Sequence, residues 1–423
     1  MAQRELTLSK MADDLESSPI LVLSKAVNKK IAKGENVFNL TVGDFNPKIF
    51  PIPSELTEEI IKSYQEGLTN YPPTKGLPEL RQAISRYVKR KGNMDYNENE
   101  VSVSSGARPL IYATYQTLLD PGDTVLFPVP SWNNHFYSHL AHCKVQSIET
   151  TAEDNFMLTA DDLKPHIQSA NLLALCSPQN PSGTCFTKEQ LEDICDLVLE
   201  ENARRGENEK PVYLLYDQIY WILTHGDVEH VNPVLLRPEM KDFTINIDGI
   251  SKAFAATGVR VGWATGPEKV MSKMSVIITH MGAWAPKPEQ SACARYLTRD
   301  NEVDAYLEEM KNKISQRLVA FYDGFKALKA EGFKVDAISP QAAIYLTIQL
   351  DLTGKSTSDG IKLNTPKEVN DFILGKAGMA LVPFYGFGAS DDSSWFRLSV
   401  GTTSMEMIEQ CLSKLKVALS ELS

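Results

Sequence analysis

The sequence predicts an α/β fold: a large domain with a mainly parallel sheet covered by helices, and a smaller α+β domain beside it. Two observations predict it. Through the middle of the chain, short continuous apolar runs alternate with amphipathic helical patterns. Strands buried on both faces read that way, and parallel sheets need a helical crossover between them. Past residue 302 the pattern changes to one long helical stretch, then short strands, then a closing helix.

The elements follow in order. VSVSS (101–105) reads as a strand and the segment from Arg108 to Leu119 as a helix. DPGD (120–123) is a turn and TVLFP (124–128) a strand. NLLALCS (171–177) is an apolar strand, followed by the helix TKEQLEDICDLVLEEN (187–202) with Thr187 placed to cap it. VYLLYD (212–217) and FTINID (243–248) are further strands. A helix is expected from about Val303 to Lys329, strands near AAIYLTIQL (342–350) and WFRLSV (395–400), and a last helix in MEMIEQCLSKLKVALSEL (405–422). The expected division is a large domain over 51–302. Residues 1–50 and 303–423 form the small one, the N-terminal segment joining it across the large domain.

Composition narrows the function. The net charge of −11 argues against a nucleic-acid partner, which needs a basic face. The run Lys89–Arg90–Lys91 closes an expected helix, where cations suit the carboxyl end. Six cysteines without a CxxC pair suit neither a zinc site nor a disulfide framework, so reduced thiols and a cytoplasmic location are expected. The opening MAQRELTLSKMADDLES is too polar for a secretory signal. No apolar run approaches the roughly 18–20 residues of a membrane helix.

Ligand sites in parallel sheets lie at the carboxyl ends of strands. Four polar clusters fall there: Ser105-Gly106-Ala107-Arg108, Asn180-Pro181-Ser182-Gly183, Asp217, and Ser251-Lys252. Each alone is commonplace, as a tight turn, a cap or a solvated lysine. If their strands are parallel neighbours, all four meet on one edge, and that joint occurrence carries the weight. The residue types suit an aldehyde cofactor bearing a phosphate. A helix N-terminus of small residues offers free N–H groups to a phosphate, with Gly106 allowing close approach and Arg260 adding a cation. Asp217 suits a pyridine nitrogen that must stay protonated. Asn180 and Tyr220 suit the ring's phenolic oxygen, and Trp132 its face. Lys252 would form the Schiff base and then act as general base and acid.

Seven stretches together resemble the class I/II aminotransferases of fold type I, from about Asn39 to Gly401. They are NYPPTKGLPELRQAI (70–84), SSGARPL (104–110), DPGDTVLFPVPSW (120–132), SPQNPSGT (177–184), YDQIY (216–220), SKAFAATGVRVGW (251–263) and FRLSVG (396–401). The resemblance, closest in kind to aspartate aminotransferase-like members, implies pyridoxal 5'-phosphate as cofactor. It implies Lys252 as the Schiff-base lysine, with Asp217 and Tyr220 beside it in catalysis. Gly106, Ala107, Arg108 and Arg260 would hold the phosphate, and Trp132, Asn180, Asp217 and Tyr220 the ring. Arg397 would clamp the substrate α-carboxylate with the backbone of Gly43, and Trp132 and Asn180 would also face substrate. Tyr71 would reach the phosphate of a neighbouring subunit, which implies a homodimer with shared active sites.

The sequence departs from the family pattern in three places. VGDFNP (42–47) replaces a GEPDF-like stretch, Gly249 stands where many relatives carry Ser, and PQAAIY (340–345) lacks a common Gly. The expected reaction is amino transfer from an L-amino acid to a 2-oxo acid such as 2-oxoglutarate. Aspartate is favoured because Arg108 stands where a basic residue of aspartate-using relatives meets the distal carboxylate. In HMGAWAPKPEQ (280–290), Trp284 and Lys287 stand where some relatives supply a second arginine, which leaves aromatic or aliphatic donors open. A β-lyase, a decarboxylase or a cyclising synthase on the same scaffold is the alternative chemistry. A regulator that has lost catalysis is a third reading, disfavoured by the intact residue set. His135, His139 and His142 are spaced for one helix face but lack a nearby carboxylate, so no metal is expected. Cys176 and Cys185 flank the NPSG turn and read as buried packing.

Overall fold

The computed structural model describes residues 7–207 and 209–423. The first six residues of the polar opening stretch lie outside them. Seven strands form the main sheet: β1 (Val101–Ser104), β2 (Thr124–Val129), β3 (Lys144–Glu149), β4 (Leu172–Cys176), β5 (Tyr213–Asp217), β6 (Thr244–Gly249) and β7 (Gly262–Thr265). Their order is β1-β7-β6-β5-β4-β2-β3. From β6 to β3 every pairing is parallel. β7 runs antiparallel to both β6 and β1.

This corrects one step of the sequence reading. VSVSS is not a parallel neighbour of the other strands, because β7 separates it from them. β7 has only four residues and starts at the very end of the SKAFAATGVRVGW stretch, too few for a periodic signal. Two antiparallel steps restore direction, so β1 points the same way as β6 and its carboxyl end still reaches the common edge. β3 was also unread: it is an edge strand with a largely exposed pattern, and so has no apolar run.

Alternation along the strands shows why both faces need cover. Leu172 and Ala174 of β4 pack with the helix Ala107–Leu118 and with Met271, Met274 and Ile278 of the helix Glu268–His280. Leu173 and Leu175 pack instead with Leu191, Ile194, Cys195 and Val198 of the helix Lys188–Arg205. Thr187 caps that helix as expected: its hydroxyl accepts from the Gln190 N–H at 3.2 Å, and the Gln190 side chain accepts from the Thr187 N–H at 3.0 Å. The helix runs three residues past the expected end. There the buried Arg205 guanidinium bonds Glu201 at 2.7 Å and the carbonyls of Ile167, Gln168, Ala170 and Lys210. Arg90 and Lys91 close the helix Pro78–Gly92 and pair with Asp304, at 2.7 and 3.1 Å, on the helix Asp300–Ala330.

The rest of the chain forms a second, antiparallel sheet of β8 (Val335–Ala337), β9 (Tyr345–Leu350), β10 (Val382–Pro383) and β11 (Trp395–Ser399), in the order β10-β11-β9-β8. Phe38–Asn39 pairs in parallel with Met379–Ala380. Phe38, Leu40, Phe45 and Phe50 share a core with Ile314, Phe321, Ile348, Phe396 and Leu415. β9 starts three residues later than AAIYLTIQL suggested. Ala343 takes a left-handed φ of 59° there, in the PQAAIY stretch, where glycine is the residue with least strain.

Candidate active site

The carboxyl ends of β1, β4, β5 and β6 open on a cavity of about 430 Å³. A larger open cleft of about 1160 Å³ lies beside Trp221 and Lys91, but none of the four clusters reaches it. Convergent chemistry, not size, identifies the site.

At the end of β1 the chain turns at Gly106, with φ 90°. A side chain there would strike the Arg260 guanidinium. Arg260, itself at φ 64°, donates to the carbonyls of Ser105 at 2.7 Å and Thr257 at 2.8 Å. The helix that starts at Ala107 leaves the N–H groups of its first turn without a carbonyl one turn back. Glycine, free N–H groups and a guanidinium make a cradle suited to a phosphate.

Asp217 ends β5 and accepts from the Ile219 N–H at 3.1 Å. Burial pushes its carboxyl up to about 6, partly offset by that N–H and by Lys252. Among the described residues it has no ion-pair partner. A buried carboxyl so placed favours a cation beside it, as a protonated ring nitrogen provides.

Lys252 follows β6 and donates from Nζ to the Gly43 carbonyl at 2.6 Å. Burial lowers its ammonium to about 8; Asp44 opposes this, while Arg397, Arg108 and Arg260 lower it further. An amine in that range both gives and takes a proton near neutrality. Nζ also lies 5.8 Å from the centre of the Tyr220 ring.

Arg397 on β11 is 1 % exposed. Its Nη1 donates to Asn180 Oδ1 at 2.8 Å and its Nη2 to the Thr41 carbonyl at 2.6 Å, while Nε has no partner. Rings of Tyr345 and Phe387 flank it at 4.5 and 5.0 Å. No carboxylate pairs with it among the described residues. A buried cation held only by neutral acceptors calls for an anionic ligand. Because Asn180 accepts from Arg397 through its oxygen, its amide N–H groups stay free to donate.

The cavity brings together Gly43, Ala107, Arg108, Trp132, Asn180, Asp217, Tyr220, Lys252, Arg260 and Arg397. Gly106 lies behind Arg260 instead of on the wall. Arg108 lies with its guanidinium 5.2 Å over the Trp132 ring. Tyr71 does not reach the cavity of its own chain. It is 79 % exposed and packs on Trp284 at 5.1 Å, beside Lys287, which donates to Asn70 at 2.6 Å.

The structure adds residues the sequence reading passed over. Tyr345 shares a 2.6 Å hydrogen bond with the Tyr220 hydroxyl. Thr257, Asp44 and Ile20 also line the cavity, as does Ser251 of the fourth cluster. Tyr345 and Asp44 sat inside quoted stretches, PQAAIY and VGDFNP, so position was available but not role. Cys176 corrects an expectation: it is half-buried on the cavity wall, and of the two cysteines flanking the NPSG turn it is Cys185 that packs in the interior. Burial and the nearby Asp217 hold the Cys176 thiol well above its ordinary range, which disfavours the thiolate a nucleophile needs. Gly249 is explained by packing, since a Cβ there would meet Gly262 Cα at 2.8 Å. The helix Asn134–Leu140 ends before His142, which has φ 55°, so the three histidines do not share one helix face.

Residues 35–415 match the family described as aminotransferase class I and II. An aspartate aminotransferase of Bacillus sp. (strain YM-2) is 31% identical over 416 residues, covering 97% of this chain and 98% of that protein. The crystal structure of the Rhizobium meliloti aspartate aminotransferase superposes with a TM-score of 0.90 at 26% identity, covering 99% of this chain and 100% of that one. The aromatic aminotransferase of Pyrococcus horikoshii OT3 superposes at 0.81 with 27% identity, covering 94% and 99%.

Proposed function

Since the chain belongs to the aminotransferase class I and II family, and is therefore a pyridoxal-phosphate aminotransferase, we propose that it moves the amino group of L-aspartate to a 2-oxo acid such as 2-oxoglutarate. The observation that carries this reading is a pair of guanidiniums on one cavity. Arg397 is buried without an anion, and Arg108 is exposed at the wall with no ion pair among the described residues. A dicarboxylate would satisfy both.

The geometry supports the following roles. When bound, pyridoxal phosphate supplies an aldehyde carbon for the amino group and a protonated ring that draws electrons from the Cα–H bond. Lys252 would hold it covalently, and the first-turn N–H groups of Ala107 and Arg108, with Arg260, would hold its phosphate. Asp217 would keep the proton on the ring nitrogen. Asn180, through its free amide N–H, and Tyr220, paired with Tyr345, would bond the phenolic oxygen. Arg397 would grip the α-carboxylate through two parallel hydrogen bonds, fixing which bond at Cα faces Lys252. Lys252, once free, would take the proton of the substrate Cα onto Nζ and hold it for delivery. Trp132 would cover the ring face and exclude water. The exposed Tyr71, packed on the half-buried Trp284, would complete the site of a second subunit in a homodimer.

One observation favours a second reading, transfer from aromatic or aliphatic donors. Ile20, Val42, Ile111 and Trp132 give the same cavity an apolar wall. A half-reaction series with aspartate, phenylalanine and leucine, followed by the absorbance of the bound cofactor, tests both. Arg108→Leu should weaken aspartate selectively. An unchanged preference removes Arg108 from the specificity argument, and faster turnover with phenylalanine in the parent protein replaces the first reading with the second.

A further inference from the structure

Residues 41–44 cross the site as one short piece of backbone with three successive carbonyls engaged. The Thr41 carbonyl accepts from Arg397 at 2.6 Å, that of Val42 from the Ser399 hydroxyl at 2.7 Å, and that of Gly43 from Lys252 Nζ at 2.6 Å. The fourth residue, Asp44, is fixed by two donors on one oxygen. Its Oδ1 accepts from the Phe45 N–H at 2.8 Å and from the Thr257 hydroxyl at 2.7 Å. Thr257 lies five residues past Lys252, in the loop whose carbonyl also holds Arg260.

We propose that Asp44 is a positioning residue for the transfer reaction, fastening residues 41–44 to the loop after Lys252 and holding a negative charge beside the Lys252 amine. The surroundings make that charge matter. Arg397, Arg108 and Arg260 all face the amine and disfavour a proton on it, as does burial. Asp217 and Tyr220 face it from β5 and the turn beyond. Asp44 opposes the three guanidiniums from the segment packed against the second sheet, with Tyr345 and Thr257 as its other neighbours. Without it, Nζ would release its proton more readily and hold it less often when one must be delivered. The Thr257 bond keeps the carboxylate in place, so charge and geometry come from one side chain and separate by mutation.

The inference rests on Lys252 carrying the cofactor. Borohydride reduction and peptide mapping of the loaded enzyme test that point alone, with no involvement of Asp44. The experiment for Asp44 is a pH titration of the absorbance of the bound cofactor. Asp44→Asn keeps an oxygen for Thr257 and Phe45 and removes the charge. Its titration midpoint should fall by on the order of one pH unit, as expected for loss of a nearby opposite charge. Asp44→Ser, also uncharged, should shift the same way, and Asp44→Glu should restore the midpoint. Thr257→Val keeps the charge and loosens its mooring. It should slow the half-reaction severalfold and leave the midpoint close to that of the parent. An unchanged midpoint in both uncharged variants overturns the proposal, and so does an equal shift in Thr257→Val.

Discussion

Replacing Arg397 by methionine isolates the carboxylate clamp. The guanidinium is buried, meets no anion among the described residues, and keeps Nε unpartnered. A substrate carboxylate would gain two charge-assisted hydrogen bonds there, each about 1.5–3 kcal/mol. Losing both removes about 3–6 kcal/mol, which at 1.4 kcal/mol per tenfold lowers kcat/KM for an amino acid by roughly a hundred- to ten-thousandfold. Methionine fills much of the volume between Tyr345 and Phe387, so the flanking rings stay supported. The assay is the single-turnover half-reaction with L-aspartate and, in parallel, with an amine lacking the α-carboxylate. The amino acid should lose its advantage while the slow rate with the amine stays within a fewfold. Equal losses with both compounds would refute the reasoning, because the defect would then lie in the cofactor or the fold.

Three further outcomes are expected. Asp217→Asn should stabilise the cofactor-free protein: its folded carboxyl, at about 6, lies above the ordinary 3.8, so the parent loses stability as pH rises from about 4 to 6 and carries the full penalty above that. The gain near neutral pH is on the order of 3 kcal/mol, fades below about pH 4, and comes with weaker cofactor binding; thermal melts across pH, with and without cofactor, read both. Recapture of pyridoxal phosphate by stripped enzyme should accelerate with pH and level off near 8, where the Lys252 amine is free, instead of near the usual 10.5; stopped-flow absorbance against pH checks it. Mixing Lys252→Ala chains with Tyr71→Phe chains should yield heterodimers in which one site carries both defects and the other is intact. Light scattering that finds an active monomer removes Tyr71 from the proposed chemistry.

Much of the fold was legible because the strands under both helical layers are continuous apolar runs, as in LLALC and YLLYD, and because Thr187 and Gln190 advertise a helix start. β7 was not, since four residues beginning with glycine carry no period, and its antiparallel course depends on long-range pairing. The site residues at strand ends were legible through residue type and order. Tyr345 was not: it reaches Tyr220 across 125 positions, and nothing local marks a tyrosine on a strand as polar machinery. Cys176 misled because an apolar run predicts burial, whereas the last residue of a strand faces whatever opens at the sheet edge. Asp44 and Thr257 form a contact 213 positions apart, beyond any spacing argument.

The stretch at 41–44 has a consequence for how this enzyme can change. Adding or deleting one residue there moves the following backbone by about 3.3–3.6 Å, more than a hydrogen bond tolerates. The grip on Arg397 and the rest for Lys252 would then be lost together, although one lies on β11 and the other after β6. Length is therefore the invariant of this stretch and side chain the variable at Thr41 and Val42, whereas Gly43 is fixed because a Cβ there would meet the Tyr345 hydroxyl at 2.6 Å, and Asp44 by its hold on Thr257. Indel scanning should find a hard gap at these four positions and tolerance at exposed turns such as the one around Gly354, whose added Cβ meets nothing.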